Sequence, residues 1–176
     1  MTFATETANA VTPITIAPIA LANAPSFHLC LDTVAREKRY LAQIEAPAME
    51  RIEGFVRESV ANDAVQFVAL DGERVVGWAD IFPAWAHAVQ HCGTLGMGVL
   101  SGYRGQGLGR QLLQACLDKA RTKGITRVTL EARADNVNAI ALYTRMGFVH
   151  EALKPNALRF EGVYFDAVQM RLLLDV

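Results

Sequence analysis

Ser101-Gly102-Tyr103-Arg104-Gly105-Gln106-Gly107-Leu108-Gly109-Arg110 places four glycines and two arginines between an apolar strand pattern and an amphipathic helical one. Glycine carries no Cβ and tolerates positive φ, so successive N–H groups in such a loop can converge on one point. The helix that follows aims its positive end at the same point. A phosphate group fits there, with Arg104 and Arg110 as bracketing counter-charges. Spacing narrows the ligand. Gly102 and Gly107 stand at the separation of a Walker loop, but Leu108-Gly109 follows where Lys and then Ser or Thr are needed, so ATP is not implied. Gly105, Gly107 and Gly109 run as GxGxG rather than GxGxxG, late in the chain, which excludes the dinucleotide fingerprint. The pattern that remains is Arg104-x-x-Gly107-x-Gly109.

The chain around this loop reads as one α/β (α+β) domain. Expected strands are Ile14 to Ala17, Gln66 to Leu70, Arg74 to Pro83, Thr94 to Leu100, Arg127 to Ala132, Phe148 to Leu153 and Val163 to Leu174. Asp71-Gly72 marks a hairpin. Gly93, Gly96 and Gly98 in the fourth strand point to a bulge or to a backbone approached closely by another group. Helices are expected over Ser26 to Ala35, with Ser26 as N-cap and a stripe through Leu29, Leu31 and Val34. Others are expected over Glu45 to Ala61, from Leu108 to near Gly124, and over Asn136 to Met146. An antiparallel first half followed by alternating strands and helices predicts a mixed, mostly antiparallel sheet of six or seven strands, with helices on both faces. Residues 1–11 are read as a flexible N-terminal extension and 12–176 as the single domain.

Composition removes several function classes. Seventeen Lys plus Arg balance eighteen Asp plus Glu in 176 residues, for a net charge of −1 and no basic stripe, so no nucleic-acid partner is expected. Thr7 to Leu31 is almost uncharged, but Pro13, Pro18 and Pro25 interrupt it and no Lys or Arg precedes Arg36, so neither a membrane span nor a secretory signal is read. Cys30, Cys92 and Cys116 are odd in number and lack metal spacing. No metal site is read, and a reducing cytoplasm is the expected location.

The segment from about Leu95 to Phe148 resembles the GNAT superfamily of acetyl-coenzyme A dependent N-acetyltransferases. It carries the pyrophosphate loop Arg104-x-x-Gly107-x-Gly109, then Asn136-x-x-Ala139-Ile140-x-Leu142-Tyr143-x-Arg145-x-Gly147-Phe148. Val34 to Leu41 and Gly162 to Asp166 are similar to members that acetylate free amino acids and related small amines. The resemblance implies acetyl-coenzyme A as co-substrate. It would be held by the backbone of Met97, Gly98 and Val99, by the loop residues Arg104, Gly105, Gln106, Gly107, Leu108, Gly109 and Arg110, and by Asn136 and Ala139. Tyr143 is implied as the acid that protonates the leaving sulfur. Glu131, in Leu130-Glu131-Ala132-Arg133 twelve residues earlier, is implied as the base, with Asp80 and His91 in reserve. Glu37, Tyr40, Asp80, Tyr164 and Asp166 are candidates for the acceptor pocket. The expected partner is a small-molecule amine. A protein N-terminus, an antibiotic amine and a non-catalytic acyl-coenzyme A binder stay open as alternatives, and a homodimer through the apolar last strand is a further expectation.

Overall fold

The structure is a computed structural model and describes residues 13–174; the expected extension, 1–11, lies outside the described residues. Seven strands form one sheet: β1 (Thr15–Pro18), β2 (Val65–Asp71), β3 (Arg74–Pro83), β4 (Cys92–Val99), β5 (Arg127–Arg133), β6 (Val149–Phe160) and β7 (Val163–Leu173). Their order is β1-β2-β3-β4-β5-β7-β6, antiparallel throughout except between β4 and β5. Helices α1 (Ala24–Arg36) and α2 (Met49–Ala61) precede β2, α3 (Leu108–Thr122) links β4 to β5, and α4 (Val137–Arg145) links β5 to β6.

Alternation along β3 assigns the faces. Trp78 meets Phe27 of α1 edge to face, with centroids 5.8 Å apart, and Phe82 meets Phe55 of α2 at 5.3 Å. Gly77, offset by one, lies under Leu112 of α3. The α1/α2 layer and the α3 layer therefore cover opposite faces, and Val56, Val68, Ala79, Ile81, Leu112, Leu113 and Val128 are sealed between them. No helix among the described residues is long and apolar enough to cross a membrane.

The parallel junction shapes the site. β4 and β5 pair only at Cys92↔Arg127, Gly93↔Val128 and Thr94↔Thr129. Beyond that, β4 continues on β3 as far as Val99 and β5 continues on β7 as far as Arg133, so the sheet splits into two wings. The glycines of β4 are approached closely, as expected, but by the protein's own side chains. A Cβ on Gly98 would stand 2.4 Å from the Trp78 ring, and one on Gly93 would stand 2.5 Å from Ile81. The register irregularities lie elsewhere, between β2 and β3 at Ala69/Leu70 and between β6 and β7 at His150/Ala152 and Lys154/Leu158.

Five sequence expectations change. Helix α1 starts at Ala24, with Pro25 in its first turn, and the Ser26 hydroxyl accepts from Val75 N–H at 2.8 Å instead of capping. Leu29 is 67% exposed, and Phe27 and Cys30 take its place on the buried stripe. Helix α2 starts at Met49, after Pro47, leaving residues 37–48 as a loop tied to α1 by Ala46 N–H→Asp32 at 2.9 Å. Strand β6 runs to Phe160, past Lys154-Pro155-Asn156, because it is an edge strand and its ladder to β7 breaks between Lys154 and Leu158, where Asn156 has φ 52° and a missing N–H costs little. Its turn, Glu161-Gly162, has φ of 49° and 86°, the two positive values of a tight hairpin. Strand β7 lies between β5 and β6, so both of its edges are used and it offers none to a second subunit.

Candidate functional site

The split between β4 and β5 opens a cleft of 990 Å³, lined by Thr94 to Val99, Thr129 to Ala132, the loop from Tyr103 to Arg110, and one face of α4. At its end stands the glycine loop. Gly105 and Gly107 have φ of 75° and 82°, and Gly107 caps α3, whose first turn holds no acidic residue. A Cβ on Gly105 or Gly107, both in the cleft lining, would meet no protein atom within 4 Å, so room is left beside them, while Gly102 is equally open but lies outside the lining. Gly109 serves packing instead, since its Cβ would stand 3.1 Å from Leu142 and 3.3 Å from Met97. This concave row of N–H groups at a helix N-terminus fits a pyrophosphate.

The two loop arginines divide. Arg110 lines the cleft and forms no ion pair among the described residues. Arg104 also lines it, but its guanidinium donates to both carboxylate oxygens of Glu37 at 2.9 and 2.7 Å. Its Nε donates to the Val99 carbonyl at 2.8 Å, and its plane lies 4.6 Å from the Tyr40 ring centroid. It thus fastens the loop after α1 to the end of β4. Gln106 bonds its side chain back to the Gly102 carbonyl at 3.2 Å.

Opposite the glycine loop, Asn136 caps α4 by accepting from Ala139 N–H, and both residues line the cleft. Tyr143, 8% exposed, reaches the cleft from α4 and packs on Phe148. Burial pushes its phenol up to about 12. Its hydroxyl has no hydrogen-bond partner among the described protein groups and is not sealed from solvent.

Glu131 and Thr129 project from β5 into the cleft on the α1/α2 face, because Thr129 pairs with Thr94 and Thr94 with Phe82. The Glu131 carboxylate is ion-paired with Lys154 of β6. Gln169, opposite Glu131 on β7, completes that wall.

The sequence-proposed acceptor residues disperse. Tyr40 lines the cleft, and Glu37 reaches it through Arg104. Tyr164 lies half exposed on the β6–β7 hairpin against Arg159, and Asp166 accepts from Asn156 N–H at 2.9 Å. Asp80 sits partly buried behind Gly96, and burial raises its carboxyl to about 7. His91 is exposed in the turn before β4, away from the cleft lining. Sequence reasoning missed Leu41 and Ala42, which roof the cleft from the loop after α1, together with Thr94, Thr129 and Gln169. The signal for the last three was strand alternation from Glu131, which the pairing of β4, β5 and β7 makes readable.

Comparison with known proteins agrees with this geometry. The family model for the acetyltransferase (GNAT) family matches residues 32–148. The ribosomal protein bS18-alanine N-acetyltransferase of Salmonella typhimurium is 37% identical over 74 residues, 42% of this chain and 50% of that protein. An L-methionine sulfoximine/L-methionine sulfone acetyltransferase of Pseudomonas paraeruginosa is 36% identical over 72 residues, 41% of this chain and 42% of that one. The chain thus spans about half the length of the curated relatives it matches. Among solved structures, a putative acetyltransferase from Salmonella typhimurium with its cofactor acetyl-CoA superposes with a TM-score of 0.87 at 19% identity, over 94% of this chain and 96% of that one, a likeness of fold. With the family pattern lying on the residues that build the split sheet, the glycine loop and α4, the chain belongs to the acetyltransferase (GNAT) family.

Proposed function

We propose that the protein transfers acetyl from acetyl-coenzyme A to the primary amine of a small acceptor, a free amino acid or an analogue of one, within a ternary complex. The observation that carries the small-acceptor reading is a closed rim. The loop after α1 is held to the cofactor loop by Glu37–Arg104 and to the tip of the β6–β7 hairpin by Lys38–Glu161 at 2.5 Å. A polypeptide terminus must trail its following residues out across the rim, and this strap closes one side of that rim with Tyr40, Leu41 and Ala42 lining the cleft beneath it. The relative acting on methionine sulfoximine supports the same class, and the ribosomal-alanine relative supports the alternative of a protein N-terminus.

Acetyl-coenzyme A supplies an activated acetyl thioester. The amides of Gly105 to Gly109 and the unpaired Arg110 hold its pyrophosphate. The unpaired edge of β4 at Met97 to Val99 presents backbone groups to its pantetheine arm and to the thioester carbonyl, a preorganised arrangement that stabilises developing negative charge. Tyr143 remains a phenol across the working pH range and donates its proton to the departing sulfur. Glu131, tethered by Lys154, fixes the acceptor's ammonium on the β5 wing.

The test is a thiol-release assay with acetyl-coenzyme A and amino acids, methionine sulfoximine, polyamines, aminoglycosides and alanine-initiated peptides. Turnover on a free amino acid or analogue is expected. Turnover on peptides alone would transfer the reading to a protein N-terminus, and tight cofactor binding without turnover on any amine would leave a non-catalytic binder.

A further inference from the structure

The acetyl-transfer reading needs a group that removes a proton from the acceptor's ammonium, and the carboxylate singled out by its motif, Glu131, is already paired with Lys154. A second carboxylate stands on the same face of the sheet, on the other wing. Asp80 of β3 alternates with Ala79 and Ile81, which point to α3, so it shares the α1/α2 face with Trp78 and Phe82. Across β4 its partner is Gly96, which lines the cleft. A Cβ on Gly96 would lie 2.9 Å from Asp80 Oδ1, so at this one position the strand has no side chain between the carboxyl and the cleft edge. The next residues along β4 are Met97 to Val99, where the thioester is placed.

Across β2 the partner of Asp80 is Gln66, only 1% exposed, whose Nε2 and Oε1 both lack a hydrogen-bond partner. Two unsatisfied atoms of one buried amide are costly, and core packing alone does not justify them. An amide offers a donor to an ionised carboxylate and an acceptor to a protonated one. A neighbour that changes ionisation during turnover gives Gln66 a use in both states.

We propose that Asp80 is the proton acceptor of the reaction, taking the proton of the acceptor's ammonium through the opening at Gly96, with the Gln66 amide, unbonded beside it on β2, free to turn to the carboxyl in either ionisation state. The inference rests on the acetyl-transfer reading. The step balances: the ammonium proton passes to Asp80, and the freed nitrogen lone pair forms the N–C bond. The C–S bond then breaks, and Tyr143 protonates the thiolate while the second amine proton leaves to solvent.

The surroundings of Asp80 suit this role. No Lys or Arg pairs with it among the described residues. Gln66 and Gly96 are its uncharged partners on the adjoining strands, and Phe27 and Phe55 are the apolar groups brought to its face by α1 and α2. From α3, beyond the sheet, Cys116 is the titratable group that feels its charge, and burial and then Asp80 push that thiol upward, so it stays neutral. Burial without a counter-ion leaves Asp80 titrating near neutrality, where a general base is effective.

Two measurements on the full chain decide it. Difference infrared titration of wild type against Asp80→Asn should show one protonated carboxyl that is present below neutral pH, lost above it, and absent from the variant. No such carboxyl would overturn the assignment. In steady-state assays, Asp80→Asn should lose about 100-fold or more in kcat together with the acidic limb near pH 7, and calorimetric affinity for acetyl-coenzyme A should hold. Glu131→Gln should lose rate and keep that limb. With a fluorinated acceptor analogue, already neutral at the assay pH, the Asp80→Asn defect should shrink to less than tenfold. Wild-type turnover with the limb intact in Asp80→Asn would sink Asp80 alone. Absence of wild-type turnover on every amine would sink the acetyl-transfer reading and this inference with it.

Discussion

Replacing Gly107 by alanine isolates what the glycine loop contributes. The residue caps α3 at φ 82° and ψ 0°, and an added Cβ would touch no protein atom within 4 Å. Steric conflict inside the protein is therefore absent, and the backbone penalty is that of an L-residue in the left-handed region, about 1–2 kcal/mol. For a chain of this size that corresponds to a fall in Tm of about 2–8 °C. The new methyl would stand in the open space before the loop amides, where the pyrophosphate is proposed to sit. Losing one hydrogen bond to a charged group costs about 1.5–3 kcal/mol, which is roughly a 10- to 150-fold loss of acetyl-coenzyme A affinity by titration calorimetry. Gly102→Ala is the control. Its Cβ position is equally open but its φ is not positive, so both Tm and affinity should stay near the parent values. A Gly107→Ala protein with the expected fall in Tm and parental affinity would refute the cradle, because strain would then be the only function of that conformation.

Tyr143→Phe should lower kcat about 100-fold without moving the pH profile between 6 and 9, because a phenol raised to about 12 does not titrate there; a loss under twofold would remove the acid role. Asp80 carries a consequence for stability as well. Its folded pKa of about 7 lies above the ordinary 3.8, so the native state binds the proton more tightly and stability falls as pH rises from about 4 to 7. The full difference is on the order of 4 kcal/mol. Asp80→Asn, which cannot ionise, should gain on the parent across that window in urea melts at pH 5 and pH 8, whereas a constant difference between the two proteins would contradict the burial argument.

The parts of the molecule legible in the sequence are those where backbone geometry restricts residue type. Positive φ at Gly105 and Gly107 and the Asn136 cap of α4 are local requirements, written in the residues that satisfy them. The places of the seven strands along the chain followed from their apolar and β-branched runs, whereas their order in the sheet, with β7 between β5 and β6, was not written locally. What failed was competition. Ser26 has the chemistry of an N-cap but is claimed by Val75 across 49 positions. Pro155 reads as a strand breaker, yet β6 is an edge and tolerates it. The apolar run of β7 reads as an interface because the strand that covers it, β6, looked too short.

Arg104 carries this reasoning furthest. Its type and its place before the glycines were enough to predict a phosphate counter-charge, yet among the described residues its guanidinium is engaged by Glu37, Val99 and Tyr40. A bidentate pair of this kind has fixed geometry, so the position of the loop after α1 depends on the position of the cofactor loop. Lys38, next to Glu37, continues the connection to Glu161 on the β6–β7 hairpin. Lys38 and Glu161 both sit at φ 49°, an unfavourable conformation for side-chained residues that an exposed ion pair offsets only weakly. The chain from glycine loop to hairpin tip is thus firm at the cofactor end and weak at the acceptor end. That asymmetry suits a site in which the cofactor's cradle is preformed and the acceptor side adapts to the small amine seated behind the strap.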